Sequence, residues 1–314
     1  MENEMKKLYV ETPLLEIPAF NLPGKNIRFK MDSAQPNGSF KIRGIECACR
    51  YELSRGKTHL LSASIGNAGL AVAYVGYRLG VPTTVVLPDT TPQETVEKLQ
   101  SMKAQVLVRG HGSCDEASAY CRSLCKEDPR YAFIHPFDHP KLWEGHATLV
   151  DEIVRQWDET PDLIICAVGG GGLMSGIVQG IERNGLKTDV LGVETFGADS
   201  LYQASEAKEL ITLPAITSIA GCLAAKCVAQ QPLDYVLSGK AKPFRVTDRQ
   251  AVAAMLRFAD EARVLAEPGC AAALAPVLEN MDVIAPYRNI VVEVCGGANV
   301  NLPLVEKWKA DFGL

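Results

Sequence analysis

The chain has 314 residues, of which 47% are hydrophobic and 22% are charged, and its 32 Lys and Arg against 37 Asp and Glu give a formal net charge of −5. This composition is typical of globular proteins and excludes a disordered chain, a collagen-like repeat and a nucleic-acid-binding protein that depends on a basic patch. The sequence contains no run of about 18 apolar residues and no apolar signal-peptide core near its start, so we expect a cytoplasmic protein without membrane or nucleic-acid partners. At about 150 residues per domain, the length predicts two domains.

Short apolar runs alternate with amphipathic stretches along the chain. The predicted strands are Leu60–Ser64, Thr83–Leu87, Gln105–Val108, Ala132–His135, Leu163–Val168, Val190–Glu194 and Ile290–Val294. The predicted helices between them are Ala68–Leu79, Gln93–Met102, Asp115–Lys126 and Lys141–Trp157, the third capped by Ser113. Because runs such as Leu163–Val168 are apolar throughout, they are typical of parallel strands covered on both faces. The pattern predicts an α/β protein with doubly wound parallel sheets, preceded by an extended N-terminal segment.

Cysteine and histidine favour neither disulfides nor zinc. The ten cysteines include no C-x-x-C pair and no secretion signal accompanies them, so we expect reduced thiols. His135 and His139 are flanked by Pro136 and Pro140, so their rings do not share the regular helical face that a zinc site would use.

Two short segments in the first half contain residues that could take part in catalysis or ligand binding. In Asn37–Gly44, Lys41 is surrounded by small residues and opens an apolar helix, although a solvated lysine in a first helical turn explains the same pattern. In Ser62–Gly69 a strand end runs into a helix, and its small residues would let backbone N–H groups meet a carboxylate. An ordinary strand-to-helix turn is the alternative for the second segment.

Two further segments follow apolar strands in the second half. Val168–Gly176 contains four consecutive glycines, which are conformationally costly unless a ligand such as phosphate must approach the backbone closely. The spacing matches neither a dinucleotide fingerprint nor a P-loop. Cys295 in Val294–Asn299 stands at the carboxyl end of the last strand, where ligands collect in such sheets, although a buried thiol before a loop explains it too.

Together the four segments favour a pyridoxal phosphate enzyme. A lysine would make the Schiff base, the glycines would hold the phosphate, and the turn at Ser62–Gly69 would hold an amino-acid carboxylate.

The same segments resemble those of the serine/threonine dehydratases. The resemblance is carried by Ser39–Gly44, Ser64–Ala68, Gly169–Gly172, Cys295–Gly297, Trp143–His146 and Glu194–Ala198 and covers nearly the whole chain. These enzymes belong to the tryptophan-synthase-β-like (fold type II) pyridoxal phosphate enzymes, and the sequence looks most similar to the animal L-serine dehydratase branch. The resemblance implies two doubly wound parallel-sheet domains, a small one at 35–137 and a large cofactor-binding one at 1–34 plus 138–314, in a homodimer.

The resemblance also implies a role for each matching residue. Lys41 would form the Schiff base and remove the substrate Cα proton, while Phe40 and Cys222 would lie against the faces of the pyridine ring. The substrate carboxylate would be bound in the loop formed by Ser64, Ile65, Asn67 and Ala68, with Asn67 also on the ring's phenolic oxygen. The phosphate would be held by Gly169, Gly170, Gly171, Gly172 and Leu173. A monovalent cation such as K+ would be bound by Gly169, Glu194, Ala198, Ser200, Leu223 and Ala225.

The implied reaction is β-elimination of L-serine, and of L-threonine, to pyruvate or 2-oxobutyrate plus ammonia. Cys295 would face the pyridine nitrogen, and because a thiol is a poor proton donor, the ring would stay neutral and prompt loss of the β-hydroxyl would be favoured. Ile65 and Cys222 depart from the family pattern, the first by placing a branched side chain in the carboxylate loop. Two alternatives stay open: a related lyase or racemase in which Ser64 is a reprotonating acid, and a catalytically weak member of the family.

Overall fold

The structure is a computed structural model that describes residues 6–109 and 114–314 as alternating helices and strands. The strands are β1 (Leu14–Leu15), β2 (Asn26–Lys30), β3 (His59–Ser62), β4 (Thr83–Leu87), β5 (Gln105–Val108), β6 (Tyr131–Phe133), β7 (Leu163–Ala167), β8 (Asp189–Thr195), β9 (Lys242–Val246) and β10 (Asn289–Glu293). The helices are α1 (Lys41–Ser54), α2 (Asn67–Leu79), α3 (Gln93–Ser101), α4 (Cys114–Glu127), α5 (Pro140–Gln156), α6 (Gly172–Arg183), α7 (Ser200–Ala207), α8 (Gln230–Leu237), α9 (Asp248–Ala262), α10 (Pro268–Leu278) and α11 (Leu302–Phe312). The predicted cap at Ser113 lies outside the described residues.

Contacts between Cα atoms divide the chain into two compact units, each built on its own sheet. Unit 1 comprises the described residues up to Glu11 together with Gln35–Gly145, and unit 2 comprises Thr12–Ala34 together with His146–Leu314. The expected domain boundaries after residues 34 and 137 stay a prediction.

The sheet of unit 1 has four parallel strands in the order β5-β4-β3-β6. Leu60 and Leu61 are neighbours on β3 but belong to different core clusters, Leu60 with Ile42 of α1 and Leu61 with Ala117 of α4. The sheet is therefore covered on both faces, as the uninterrupted apolar runs predict. The chain runs outward from β3 to β5 and then returns to the other side of β3 with β6, so the strand order reverses between β3 and β6.

The sheet of unit 2 has six strands in the order β1-β2-β10-β7-β8-β9. All its pairs are parallel except β1 with β2. The N-terminal segment, expected to be extended, supplies β1 and β2. The strand order reverses between β7 and β10, and ligands of open parallel sheets bind outside the carboxyl ends of the strands at such a reversal.

None of the helices in residues 6–109 and 114–314 combines the length and the apolar composition needed to cross a membrane.

Candidate functional site

Lys41 is the first residue of α1 and lies at the carboxyl edge of the unit 1 sheet. Its Nζ donates a hydrogen bond to the carbonyl oxygen of Pro136 at 2.7 Å, and Pro136 follows β6. The same nitrogen lies 5.0 Å from the ring centroid of Phe40, which is buried. Because β6 pairs with β3, this lysine belongs to the edge at which the strand order reverses.

The loop after β3 leads directly into α2 and has the features of an anion site. Gly66 precedes the helix with extended φ and ψ and has no side chain to cap it, while Ser64 Oγ accepts a hydrogen bond from Gly66 N at 3.3 Å. Asn67 and Ala68 are buried in the first turn, and Ile65 is half-buried beside them. The first N–H groups of a helix lack intrahelical partners and carry partial positive charge, so this turn suits a carboxylate.

Gly69 gives this loop its shape, and sequence reasoning assigned it no role. A Cβ at Gly69 would lie 2.1 Å from the carbonyl oxygen of Ser64, a distance that no side chain tolerates. The loop therefore folds back onto α2 only because this position carries no side chain. The sequence signal was the density of small residues in the motif, which does not tell which glycine is essential.

The segment after β6 is fixed by side chains on both sides of Pro136. His135 Nδ1 accepts hydrogen bonds from Asp138 N at 2.8 Å and from Phe137 N at 3.4 Å. The indole Nε1 of Trp143 donates to the carbonyl oxygen of Phe137 at 2.9 Å. Sequence reasoning considered His135 only as a zinc ligand, because these bonds join residues whose pairing is not visible in the sequence.

The charge state of His135 follows from its surroundings. Burial, together with the smaller effects of the positive charges of Arg122 and Lys41 and of His139, lowers the pKa of His135 to about 4. The ring is therefore neutral near pH 7. Because Nδ1 accepts two backbone hydrogen bonds, the ring proton lies on Nε2.

The glycine run of unit 2 joins β7 to α6. Gly171 precedes α6 with φ +86°, and a Cβ there would lie 2.2 Å from Cγ of Pro232. A Cβ at Gly169 would lie 3.1 Å from Cα of Leu223. The positive φ and the Pro232 side chain thus require glycine at position 171, whereas a Cβ at position 169 would only press on the Leu223 backbone.

The remaining predicted phosphate residues lie in the same turn. Gly170 O accepts a hydrogen bond from Ala229 N at 3.2 Å, which fixes the loop from outside. Gly172 and Leu173 are buried in the first turn of α6. The loop therefore presents a helix N-terminus at the carboxyl end of β7, as an anion site requires.

Cys295 lies two residues beyond the end of β10, the strand that is adjacent to β7 in the sheet. It is 6% exposed, and a hydrogen bond with Cys270 of α10, together with burial, raises its pKa well above the usual range. Cys222 is exposed, and its Sγ lies 2.1 Å from where a Cβ of Gly269 would be. Cys222 therefore packs closely against the start of α10, the helix that also carries Cys270.

Glu194, predicted to bind a cation, lies at the carboxyl end of β8, the other neighbour of β7. Its buried carboxylate accepts hydrogen bonds from Leu201 N at 2.9 Å and Tyr202 N at 2.7 Å. Burial raises the pKa of Glu194 to about 8 in spite of these bonds. The group therefore lacks a full positive counter-charge.

The other predicted cation ligands follow in two short segments. Ala198 and Ser200 belong to the segment after β8, and Ser200 Oγ is buried without a hydrogen-bond partner among residues 6–109 and 114–314. Ala225 N donates to Leu223 O at 2.7 Å in the turn that packs against Gly169.

Arg245 of β9 holds the segment after β8 and was missed by sequence reasoning. Its guanidinium pairs with Asp199 at 2.9 Å and lies between the rings of Phe196 and Tyr202, at 4.4 and 3.7 Å from their centroids. An ion pair combined with stacking on two rings fixes a loop more firmly than either contact alone.

The predicted site residues thus form two sets, each at the strand-order reversal of its own sheet. The set in unit 1 comprises Phe40, Lys41, Ser64, Ile65, Asn67 and Ala68. The set in unit 2 comprises Gly169, Gly170, Gly171, Gly172, Leu173, Glu194, Ala198, Ser200, Cys222, Leu223, Ala225 and Cys295.

Comparison with known proteins identifies the family of the chain. The family model described as pyridoxal-phosphate dependent enzyme matches residues 5–296. The mouse protein named L-serine dehydratase/L-threonine deaminase is 40% identical over 98% of this chain and 97% of its own length, and the L-serine dehydratase of Dictyostelium discoideum is 39% identical over 94% and 90%.

Solved structures give the same result at the level of the fold. The L-serine ammonia-lyase of Rhizomucor miehei superposes with a TM-score of 0.91 at 30% identity and covers 98% of this chain and 100% of that one. A maize serine racemase gives a TM-score of 0.86 at 26% identity, covering 96% and 92%. The resemblance and the α/β fold inferred from the motifs are confirmed. The chain belongs to the pyridoxal-phosphate dependent enzyme family and, within it, to the serine/threonine dehydratases.

Proposed function

We propose that this protein catalyses the dehydration and deamination of L-serine, and of L-threonine, to pyruvate or 2-oxobutyrate plus ammonia. The observation that carries this proposal is the identity of about 40% with the mouse L-serine dehydratase/L-threonine deaminase over 98% of the chain. Family membership implies pyridoxal phosphate as the cofactor. When bound, pyridoxal phosphate supplies an electron sink that makes the substrate Cα–H acidic.

The glycine loop fits the phosphate of this cofactor. Gly171 is in a left-handed conformation that places its N–H at the start of α6, and Pro232 leaves no room for a side chain there. Ser175 Oγ, one turn into α6, is fully buried and finds no hydrogen-bond partner within the part of the chain that the structure describes. An unsatisfied buried hydroxyl costs about 1–3 kcal/mol, and a ligand oxygen at this helix terminus would satisfy it. We assign phosphate binding to Gly169, Gly170, Gly171, Gly172 and Leu173.

Cys295 fits the neutral pyridine nitrogen of the cofactor. Its thiol stays protonated because the hydrogen bond with Cys270 and burial raise its pKa. A thiol with a raised pKa is too weak an acid to transfer its proton to pyridine. In our proposal Cys295 would therefore leave the ring uncharged, and Phe40 and Cys222 would lie against its faces.

Lys41 is the residue that we assign to the bond with the cofactor and to proton transfer. Lys41 would hold the cofactor covalently through Nζ, and its free amine would accept the substrate Cα proton. Lys41 is the first residue of α1 and follows the buried Phe40. It therefore lies on a rigid element, as a catalytic base requires.

The substrate carboxylate is assigned to the N-terminus of α2. Ser64, Asn67 and Ala68 surround the first turn of this helix, and Gly69 lets the Ser64 carbonyl pack against it. Ile65 is half-buried in the same loop and limits the size of the substrate side chain. This loop thus binds and orients small amino acids.

A monovalent cation such as K+ is the further ligand that we propose for unit 2. Glu194 is buried without a full counter-charge, Ser200 carries an orphaned hydroxyl, and Ala198, Leu223, Ala225 and Gly169 lie in irregular turns whose carbonyl oxygens suit K+. Replacement of K+ by tetramethylammonium, which is too large for such a site, is expected to lower activity at least about tenfold. Equal activity in both salts would contradict the assignment.

The proposed function is tested by a panel of L-serine, L-threonine and D-serine with detection of both keto acids and D-serine. We expect keto acid from the two L-amino acids, and no keto acid after Lys41→Ala. The rival is a racemase, favoured by the likeness to the maize serine racemase and by Ser64 in the carboxylate loop. D-serine as the main product from L-serine would establish the rival, and no turnover with cofactor bound would indicate the catalytically weak protein that Ile65 allows.

Two assignments concern the whole protein and follow from the family alone. We propose a homodimer, which light scattering of the cofactor-loaded protein would show as about twice the chain mass. We also propose a cytoplasmic location, which fractionation of the source cells would test.

A further inference from the structure

The irregular segment between β6 and α5 contains Pro136, which is hydrogen-bonded to the proposed catalytic lysine. Pro136 O accepts from Lys41 Nζ at 2.7 Å, and no strand or helix fixes Pro136 itself. An acceptor in an irregular loop orients a flexible lysine side chain only when the loop is held by other contacts.

Those contacts are present on both sides of Pro136. Before it, Ile134 N donates to Leu61 O at 2.9 Å, which ties the end of β6 to β3. After it, the backbone N–H groups of Phe137 and Asp138 both donate to His135 Nδ1. The imidazole thus closes a turn around Pro136, whose φ is already restricted by its own ring.

The surroundings of His135 keep its ring uncharged, as its role of hydrogen-bond acceptor requires. Its ring lies edge-on to Phe133 and Phe137, with centroids 6.0 and 4.8 Å away, and Arg122 and Lys41 oppose a positive charge on it. A neutral ring keeps Nδ1 as an acceptor, whereas a protonated ring would carry a hydrogen there and lose both backbone bonds. His135 therefore acts in its uncharged form.

We propose that His135 is a positioning residue for Lys41, because it fixes the Pro136 carbonyl as the acceptor for the lysine amine whenever that amine is not bonded to the cofactor. This inference rests on the proposed function, in which the substrate amine displaces Lys41 and Lys41 later takes its place again. With one N–H donated to Pro136 O, the free amine keeps a defined position and its lone pair points away from that carbonyl. The amine of Lys41 is thereby held in position to bond to the cofactor again.

The test measures the capture of pyridoxal phosphate by the full-length, cofactor-free protein, followed by imine absorbance over a range of pH. His135→Ala is expected to lower the second-order rate constant about tenfold and to move the pH midpoint of capture downward, since an acceptor for the ammonium form is lost. His135→Asn is expected to restore the rate to within about threefold, because an Asn side-chain oxygen accepts from the backbone two residues on. His59→Ala is the matched control, since His59 is bonded to Thr84 instead and should capture the cofactor at the wild-type rate.

A second variant keeps the test decisive if His135→Ala folds poorly. Trp143→Phe removes the hydrogen bond to Phe137 O together with part of a buried ring, so it is expected to slow capture two- to fourfold and to lower the melting midpoint by a few degrees. A wild-type rate and pH midpoint of capture in His135→Ala, or a wild-type rate of capture in Trp143→Phe, would overturn the inference. Equal slowing of capture in His135→Asn and His135→Ala would also overturn it, because it would indicate that only the packing of the ring matters. Imine formation that survives Lys41→Ala would instead overturn the proposed function.

Discussion

At the scale of single residues, Gly171 carries two separate constraints, a left-handed backbone and a lack of space. Gly171→Ala would place a Cβ 2.2 Å from Pro232 at φ +86°. The conformation costs about 1–2 kcal/mol and the overlap about 1–3 kcal/mol more, so we expect the Kd for pyridoxal phosphate to rise at least tenfold. Equilibrium titration of the cofactor-free protein measures this change.

Gly185 provides the matched control for that substitution. It has φ +64° but nothing within 4 Å of the Cβ position, so Gly185→Ala carries the conformational cost alone and lies away from the loop. Its Kd should equal that of the wild type. A similar loss of affinity in both variants would show that the effect is general destabilisation rather than distortion of the glycine loop.

Cys295 decides the protonation of the pyridine nitrogen in our account. Cys295→Asp would place a carboxylate there, which favours a protonated ring and a longer-lived anionic substrate. We expect the fraction of turnovers that end in racemisation or transamination to rise on the order of tenfold, equivalent to about 1.4 kcal/mol. Product analysis from L-serine checks this, with Cys166→Ala, a buried thiol on β7, as the control. An unchanged product ratio in Cys295→Asp would refute the role of the thiol.

At the scale of elements, the segment 135–138 makes the stability of the protein depend on pH. His135 stays neutral in the folded chain to about pH 4, whereas the unfolded chain binds this proton near pH 6.5. Between these values the unfolded state binds more protons, so the free energy of unfolding falls as the pH falls, by about 2 kcal/mol at pH 5. Arg122, Lys41 and His139, which face the ring, all oppose a positive charge on it.

Urea unfolding at pH 7 and pH 5 checks that dependence. His135→Asn removes the titrating ring but keeps an acceptor for the backbone, so its loss of stability between the two pH values should be smaller than that of the wild type by about the same 2 kcal/mol. Equal losses in the two proteins would show that His135 does not titrate in the predicted range.

The elements differ in how far their sequence predicts them. The strand β4 has the predicted bounds, and β7 and β10 differ from theirs by one residue at one or both ends, because a strand buried on both faces leaves an uninterrupted apolar run. The edge strand β5 also has its predicted bounds, although its residues are only exposed or half-buried. The edge strand β9, which contains Pro243, and the two-residue β1 have no such run and were not predicted.

The residues of the candidate site also differ in how far the sequence predicts them. Lys41 and the glycine run can be recognised in the sequence because the function proposed for them follows directly from the residue type, a primary amine in one case and an accessible backbone in the other. Gly69, His135 and Arg245 act through contacts with Ser64 O, backbone N–H groups and aromatic rings, and these partners are specified only by the folded chain.

At the scale of the whole molecule, cofactor binding should be visible as stability. A ligand that binds only the folded state at 100 times its Kd adds about 2.7 kcal/mol, which corresponds to a rise in Tm of roughly 4 °C for a chain of 314 residues. Thermal scans with and without pyridoxal phosphate measure the shift. Lys41→Ala should show a smaller rise, since it keeps the glycine loop but loses the covalent bond, and an identical rise would contradict the assignment of that bond.

The assignment of the whole chain depends most directly on where the cofactor becomes attached. Reduction of the cofactor-loaded protein with borohydride, followed by proteolysis and mass spectrometry, converts an imine into a stable amine and identifies the modified residue. Our account predicts a single modified peptide that carries the reduced cofactor on Lys41. A label on any other residue, or no label, would contradict it.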